Sequence, residues 1–146
     1  MRIQWRNIPV PEGHVIPFIL GIIAQQFIPR SLIAVDWYRY LGIPLVLLGI
    51  SLVAWSVQET GAIEIDTPAK LIVTGPYALS RNPMYIAWHL IYAGGMFLVN
   101  TRWLLLLFTF VLAYTHYRVI LREEEELDQL FGQEYRAYCV RVRRYF

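Results

Sequence analysis

Four apolar segments dominate this chain and limit what it can fold into. The second segment, from Tyr40 to Val57, contains no charged residue and has no polar stripe that could face water. A helix that is apolar all round is buried in protein or in lipid, and 146 residues are too few to enclose four such helices in protein. Since a helix needs about 17–25 apolar residues to cross a bilayer, we predict an all-α integral membrane helical bundle with four transmembrane helices, at 15–28, 40–57, 83–99 and 103–121. The first of these is the weakest and reaches the required length only with its flanks.

The composition agrees with a membrane protein and argues against several other classes. Charged residues make up only 16% of the chain, whereas a soluble domain carries about 25%. A net charge of +2 gives no reason to expect nucleic acid as a partner.

Cys139 is the single cysteine, so we expect neither a disulfide framework nor a cysteine metal site. His89 and His116 fall within predicted spans without a third ligand, and we predict no metal site. The N-terminus lacks the pattern of a signal peptide, so the first apolar segment is expected to stay in the mature protein.

Basic residues divide unequally between the two sides of the predicted bundle. Ten of the 13 Lys and Arg residues would lie on one side and three on the other. Because short cytoplasmic loops carry the excess of basic residues, we predict that both termini and the long loop 58–82 are cytoplasmic. The ten are Arg2, Arg6, Lys70, Arg81, Arg118, Arg122, Arg136, Arg141, Arg143 and Arg144, and the three are Arg30, Arg39 and Arg102.

The loop 58–82 is rich in turn formers and poor in helix periodicity. A connection of this length is uncommon unless it is functional or disordered. Gly75-Pro76 predicts a tight turn, and Pro83 suits the first turn of the third helix. The Asn82 side chain is expected to cap that helix.

The segment 122–143 is predicted to form one amphipathic helix within a single domain that spans 1–146. Its apolar residues recur at intervals of three and four, which is the spacing of one helix face. We expect this face to lie against the membrane surface or the other spans. The residues are Leu127, Leu130, Phe131, Tyr135, Tyr138 and Val142.

Two groups of chemically capable residues are predicted to lie close together. The first is the stretch 70–77 followed by the run Arg-Asn-Pro-Met-Tyr at 81–85, and the second begins at Arg118 and contains the acidic run 123–126. The third and fourth spans are joined only by residues 100–102, so they must form an antiparallel hairpin. The segment before the third span and the segment after the fourth are therefore neighbours at the cytoplasmic face.

The order Gly-Pro-Tyr, Arg-Asn-Pro-Met-Tyr and Glu-Glu-x-x-Leu-x-x-x-Phe-Gly-x-x-Tyr-x-x-Tyr resembles the isoprenylcysteine carboxyl methyltransferase and phospholipid methyltransferase superfamily. The resemblance covers the chain from Lys70 to its end. It implies S-adenosylmethionine as cofactor, held between the loop before the helical hairpin and the helix after it. By this resemblance the cofactor-binding residues are Lys70, Leu71, Ile72, Val73, Gly75, Tyr77, Asn82, Pro83, Met84, Tyr85 and Glu123.

The resemblance also implies a substrate side of the site, with Glu123, Arg118 and Arg122 as the expected catalytic residues. At two positions this chain departs from the pattern of the isoprenylcysteine enzymes, and both positions bear on which acceptor is methylated. The isoprenylcysteine enzymes have His where Asn82 stands, and their substrate-binding arginine aligns near Val119, between Arg118 and Arg122. A carboxylate acceptor could be clamped by arginine, whereas an amine acceptor must first lose a proton.

The sequence thus predicts a membrane methyltransferase that acts on a membrane lipid or lipidated small-molecule acceptor, resembling the isoprenylcysteine carboxyl methyltransferases. The first alternative is N-methylation of a phospholipid amine. A nicotinamide-dependent membrane reductase is a further possibility, as is a non-catalytic scaffold whose terminal arginines bind anionic lipid. Some of these residues also have a purely structural explanation. The acidic run 123–126 would stabilise the first turn of a helix, and Arg118 at the end of a span would place its charge at the membrane interface.

Overall fold

The computed structural model describes residues 12–60 and 70–145. Arg2 and Arg6 of the topology prediction, and residues 61–69 of the predicted cofactor loop, lie outside these ranges. No β-strand occurs in the two described ranges, where only an isolated bridge joins Ser31 and Thr101. The all-α prediction is therefore confirmed, while the single-domain assignment stays a prediction.

Four apolar helices form the bundle, close to the predicted positions. They are α1 (Glu12–Phe27), α2 (Gly42–Thr60), α3 (Pro83–Val99) and α4 (Arg102–Tyr114). A short 3-10 helix, Asp36–Leu41, leads into α2. Pro83 stands in the first turn of α3 as predicted, where its missing N–H is not needed.

The fourth helix does not run regularly to residue 121. After α4 the chain continues as a π-helical segment, Thr115–Ile120, before regular geometry resumes. Such segments are rare and often occur at functional sites. The spacing of the apolar residues did not predict this change from α-helical to π-helical geometry.

Helices α2 and α3 pack closely along their length because glycines remove side chains from the contact. A Cβ on Gly49 would stand 2.8 Å from the Ala87 carbonyl oxygen and 2.6 Å from Ile91 Cγ1. Gly94 lies against Val46 of α2, whereas Gly95 faces the Phe18 ring of α1. Both glycines thus allow close helix packing, and small residues at such contacts are typical of membrane helices.

Helix α1 packs on α4 and completes the core on the opposite side of α3. Tyr92, Met96, Leu104 and Val111 are buried there, with Phe18 packed against them. The connection between α3 and α4 is fixed by Asn100 in the left-handed conformation, whose side chain exchanges two hydrogen bonds of 3.0 Å with the backbone of Ile33. The antiparallel hairpin is therefore anchored at its turn.

The outer surface of the bundle is apolar. Leu47, Leu48 and Phe110 are each more than half exposed. Two helices, Trp37–Thr60 and Arg102–Phe131, are long and apolar enough to cross a membrane by length and composition, and the apolar helices Gly13–Phe27 and Pro83–Val99 are shorter. Contiguous exposed apolar surface of this kind marks contact with lipid or with another protein.

The C-terminal segment differs from the prediction of one helix over 122–143. It forms α5 (Leu121–Phe131) and α6 (Gln133–Arg141), which are separated at Gly132. Gly132 has φ 51° and ψ −116°, a conformation that glycine adopts far more readily than other residues. The break turns the apolar face of α6 toward the loop, where Tyr135 and Tyr138 are buried with Leu71.

We expect Gly49→Ala to destabilise the bundle. The new methyl group would meet backbone as well as side chain of α3, so the two helices must separate, at a cost of about 1–3 kcal/mol. Thermal unfolding in detergent measures this loss. Ser51→Ala is the matched control, since Ser51 is exposed on the same helix; equal stability of the two variants would contradict the close-packing argument.

Candidate active site

A cavity of about 510 Å³ lies where the loop before α3 meets the helices after α4. It is bordered by the first turn of α3, by the loop from Lys70 and by both C-terminal helices. Its volume falls in the range of ligand pockets, about 300–1,000 Å³. The lining residues are Thr60, Lys70, Leu71, Ile72, Tyr77, Arg81, Asn82, Met84, Tyr85, Glu123, Glu124, Glu126, Leu127, Gln129, Leu130, Phe131, Tyr135 and Tyr138.

The loop wall is shaped by a glycine turn. Gly75 has φ 59° and begins a short 3-10 helix, Gly75–Ala78. A Cβ on Gly75 would meet the Glu59 carboxylate at 2.7 Å, so this turn sits directly on the end of α2. The predicted tight turn is confirmed, and it presents Tyr77 to the cavity.

The C-terminal segment ties this loop down. The Arg81 N–H donates to the Arg143 carbonyl at 3.0 Å, and Ser80 Oγ donates to the Arg144 carbonyl at 3.0 Å. Asn82 Nδ2 donates to the same Arg144 carbonyl at 3.2 Å. In the described structure Asn82 makes no side-chain cap to α3, so the cap prediction was wrong: the amide group instead binds a chain segment that is distant in sequence.

Two arginines neutralise the second acidic residue of the run. Glu124 accepts from Arg144 Nη2 at 2.7 Å and lies 3.1 Å from Arg81 Nη2. The side chains of Arg81 and Glu124 are only 13% and 14% exposed, so these contacts are shielded from water. Arg81 Nε is also buried, with no hydrogen-bond partner among the described residues. Two cations against one carboxylate leave this end of the cavity with a net positive charge.

Glu123 stands in a different environment from its neighbour. Its Oε2 accepts a hydrogen bond of 2.8 Å from the Tyr85 hydroxyl, and no cationic partner lies within salt-bridge distance in the described part of the chain. Glu123 forms part of the cavity wall and stays accessible to water, although protein surrounds it. Burial raises the pKa of Glu123; the hydrogen bond from Tyr85 opposes this shift, and the charges of Glu126 and Glu124 add to it. The cavity therefore contains a carboxylate whose charge is uncompensated.

Two further tyrosines keep their protons at the cavity wall. Burial raises the pKa of Tyr77 well above its ordinary value, and the Glu123 charge adds to the shift. Burial also raises the pKa of Tyr138 to about 12, against a lowering by Arg81. The Tyr138 hydroxyl donates to the Tyr77 carbonyl at 2.6 Å, which joins α6 to the 3-10 turn.

The sequence-predicted cofactor residues are largely brought together. Of the predicted set, the cavity is lined by Lys70, Leu71, Ile72, Tyr77, Asn82, Met84, Tyr85 and Glu123. The central geometric prediction, that the segment entering the third span meets the acidic turn after the fourth, is confirmed by the hydrogen bond between Tyr85 and Glu123.

Five predicted residues do not line the cavity. Val73 packs against the buried cluster of Leu71, Tyr135 and Tyr138. Gly75 shapes the turn, and Pro83 begins α3. Arg122 pairs with Glu126 at 2.8 Å on the exposed side of α5, and Arg118 is exposed on the π-helical segment. The roles predicted for these residues in binding or catalysis stay predictions.

Sequence reasoning did not single out Arg81 or Glu124 for the site. Arg81 directly precedes Asn82, so its proximity to the cavity could have been inferred, but its pairing with Glu124 depends on where the chain end lies. The aromatic spacing at Tyr135 and Tyr138 was recognised as a helix face without being assigned to the cavity. No feature of the sequence indicated that Thr60 lines the cavity. No group of three His, Cys, Asp or Glu residues is placed for metal binding in the part of the chain that the structure describes.

Comparison with known proteins gives one match. A sequence model of the family described as phospholipid methyltransferase matches residues 37–134, which is more than half of the chain. The match begins at the 3-10 helix before α2 and ends early in α6, so it includes most of the cavity wall. Neither the curated proteins nor the solved structures contain a significant match.

We expect the two adjacent carboxylates to affect stability in opposite ways. Because burial raises the pKa of Glu123 in the folded chain, its ionised form opposes folding above that pKa, and Glu123→Gln should leave Tm unchanged or higher. Glu124→Gln removes the shared partner of two arginines and should cost about 1.5–3 kcal/mol.

Thermal unfolding of the ligand-free protein in detergent at neutral pH tests both changes. Glu125→Gln is the matched control, since Glu125 is exposed and outside the cavity. A marked loss of stability in the Glu123 variant would show that this carboxylate has a structural task.

Proposed function

Because this chain belongs to the phospholipid methyltransferase family, we propose that it transfers a methyl group from S-adenosylmethionine to a lipid-borne acceptor at the cytoplasmic membrane face. The observation that carries this proposal is the hydrogen bond of 2.8 Å between Tyr85 and Glu123, inside a cavity of about 510 Å³. It joins the first turn of one membrane helix to a helix that follows the next.

The residues of the cavity fit such a donor. S-adenosylmethionine supplies an electrophilic methyl group on a sulfonium and carries an amino acid group with both charges. Glu123 offers an uncompensated carboxylate for a cation. The cluster of Arg81, Glu124 and Arg144 has one net positive charge, and the buried Nε of Arg81 is an unused donor for a carboxylate.

The remaining wall is suited to the nucleoside. Leu71, Ile72, Met84 and Leu127 are apolar and Tyr77 is aromatic. Aromatic faces attract sulfonium and other cations in a site shielded from water. Tyr85 holds the Glu123 carboxylate in one orientation, so the chain fixes its negative charge before a ligand arrives.

The acceptor proposed is the amine of a phospholipid, in preference to the carboxylate of a prenylated cysteine. Arg118 and Arg122 were the residues expected to clamp a carboxylate. Neither lines the cavity, and the charge of Arg122 is already matched by the cavity residue Glu126. The description of the matching family points in the same direction.

The proposal includes a multi-span topology with both termini in the cytoplasm. The apolar exterior of the bundle and the ten-to-three distribution of basic residues support it. The scaffold alternative loses part of its support, because Arg144 of the terminal cluster is engaged with Glu124 inside the protein.

Donor binding should depend on Glu123. We expect Glu123→Gln to raise the Kd for S-adenosylmethionine tenfold or more, the effect of losing a charge-assisted contact of about 1.5–3 kcal/mol. Isothermal titration calorimetry of the detergent-solubilised protein measures this. Glu125→Gln should bind as the unaltered protein does; equal loss in both variants, or none in the first, would contradict the role of Glu123.

The same interaction predicts a pH dependence. A protonated Glu123 cannot hold a cation, and its pKa lies above the ordinary value of 4.5. The donor Kd should therefore rise as the pH falls through that higher range, while the Kd of the Glu123→Gln protein stays level. Calorimetry over a pH series provides the comparison.

Activity is tested by incubation with methyl-labelled S-adenosylmethionine and vesicles of a total lipid extract. We expect label in phospholipids with methylated amine headgroups, and the Glu123→Gln protein should incorporate little. Absence of label from every lipid fraction, with a stable protein that fails to bind the donor, would overturn the proposed function.

A further inference from the structure

A second cleft, of about 350 Å³, lies near the same end of the bundle as the cavity. It is lined by Ile86, His89, Leu112, His116 and Tyr145. Of the described residues, none lines both the cavity and this cleft. The proposed donor site includes no residue of this cleft.

One side chain in the cleft is held in a fixed orientation. His116 Nδ1 lies 2.6 Å from the Tyr145 hydroxyl oxygen, and the Tyr117 ring packs edge-on against the imidazole at 4.7 Å. In the tautomer whose Nδ1–H donates to the Tyr145 oxygen, Nε2 carries a lone pair and can accept a proton. His116 also belongs to the π-helical segment Thr115–Ile120, a geometry found frequently at functional sites.

The cleft is close to the proposed donor site. His89 follows Tyr85 by four residues in α3, so the two side chains share one helix face and lie about 6 Å apart along the axis. Tyr145 follows Arg144, which binds the cavity residue Glu124 at 2.7 Å. Both the helix and the chain segment that border the cleft thus also border the donor cavity.

The cleft is mainly apolar and contains one polar pair. His116 and Tyr145 form a polar end next to the C-terminal segment, whereas Leu112 and Ile86 are apolar, and Leu112 is exposed on the outer surface of the bundle. A headgroup at the polar end would leave its acyl chains along the apolar exterior. The cleft therefore accommodates an amphipathic molecule that enters from the bilayer.

We propose that this cleft binds the amine headgroup of the acceptor phospholipid and that His116 is the catalytic base that removes a proton from the ammonium group. Tyr145 is the positioning residue that fixes the imidazole. The inference rests on the proposed function and deepens it, because it assigns the acceptor site and the catalytic base.

The reaction balances with these groups alone. The headgroup ammonium gives one proton to His116 Nε2, and the freed nitrogen lone pair attacks the methyl carbon of the donor. The carbon–sulfur bond breaks and its electron pair stays on sulfur, which becomes a neutral thioether. The nitrogen is then a methylated ammonium, and His116 releases its proton to water before a further methylation.

The test uses the full chain in detergent with vesicles of phosphatidylethanolamine and saturating labelled donor. General base catalysis contributes about 10²–10⁴-fold, so His116→Gln should lower the initial rate at neutral pH about a hundredfold or more. The Kd for the donor should change by less than twofold, because His116 lies outside the donor cavity. Tyr145→Phe should show a smaller loss. Tyr40→Phe is the matched control and should keep the rate, because Tyr40 is exposed and lines neither the cavity nor the cleft.

The pH profile separates a base from a structural residue. As the pH approaches about 10, near the pKa of an alkyl ammonium, the amine deprotonates in solution, and the His116→Gln rate should approach that of the unaltered protein. The titratable groups that face His116 are His89, Tyr145 and Tyr117, so each single variant is assayed over the same pH series.

A loss of rate that persists unchanged at high pH, or an unchanged rate, would overturn the role of His116. If the protein binds the donor but labels only carboxylate acceptors, this inference and the proposed amine acceptor both fail, whereas methyl transfer from S-adenosylmethionine stands. If the protein is folded and binds no donor, the proposed function itself fails.

Discussion

The ion cluster of Arg81, Glu124 and Arg144 holds together three parts of the chain that are far apart in sequence. It joins the loop before α3, the first turn of α5 and the C-terminal segment, with contacts of 2.7 and 3.1 Å that are largely shielded from water. Charged groups in such surroundings interact strongly, but each is costly if its partner is lost. Arg81 and Glu124 of this cluster form part of the cavity wall, and Tyr145, which follows Arg144, lines the second cleft.

Neighbouring carboxylates serve different purposes in this arrangement. Glu124 is matched by two cations, so its charge stabilises the fold. Among the described residues, Glu123 accepts a hydrogen bond only from the Tyr85 hydroxyl, and burial raises its pKa. A residue that is left electrostatically unsatisfied in the ligand-free protein is available to a cationic ligand. This division of tasks between adjacent positions follows from helix geometry, which directs consecutive side chains about 100° apart.

Much of the architecture could be predicted from sequence because the apolar segments and their short connection determine it. The bounds of α3 were predicted correctly, as was the meeting of Tyr85 with Glu123, since a hairpin with a minimal turn brings those ends together. The break at Gly132 was missed because the apolar spacing continues across it. The partner of Asn82 was out of reach, since it depends on the tertiary position of Arg144, which local pattern does not encode.

Among the described residues, none lines both the cavity and the cleft, and this affects the order in which ligands bind and leave. If the soluble donor and the membrane lipid occupy them as proposed, neither ligand blocks the route of the other. Spent donor would then leave toward water while the lipid stays beside His116, and a fresh donor could replace it. A headgroup would thus gain successive methyl groups during one residence at the protein, with proton release through the imidazole between rounds.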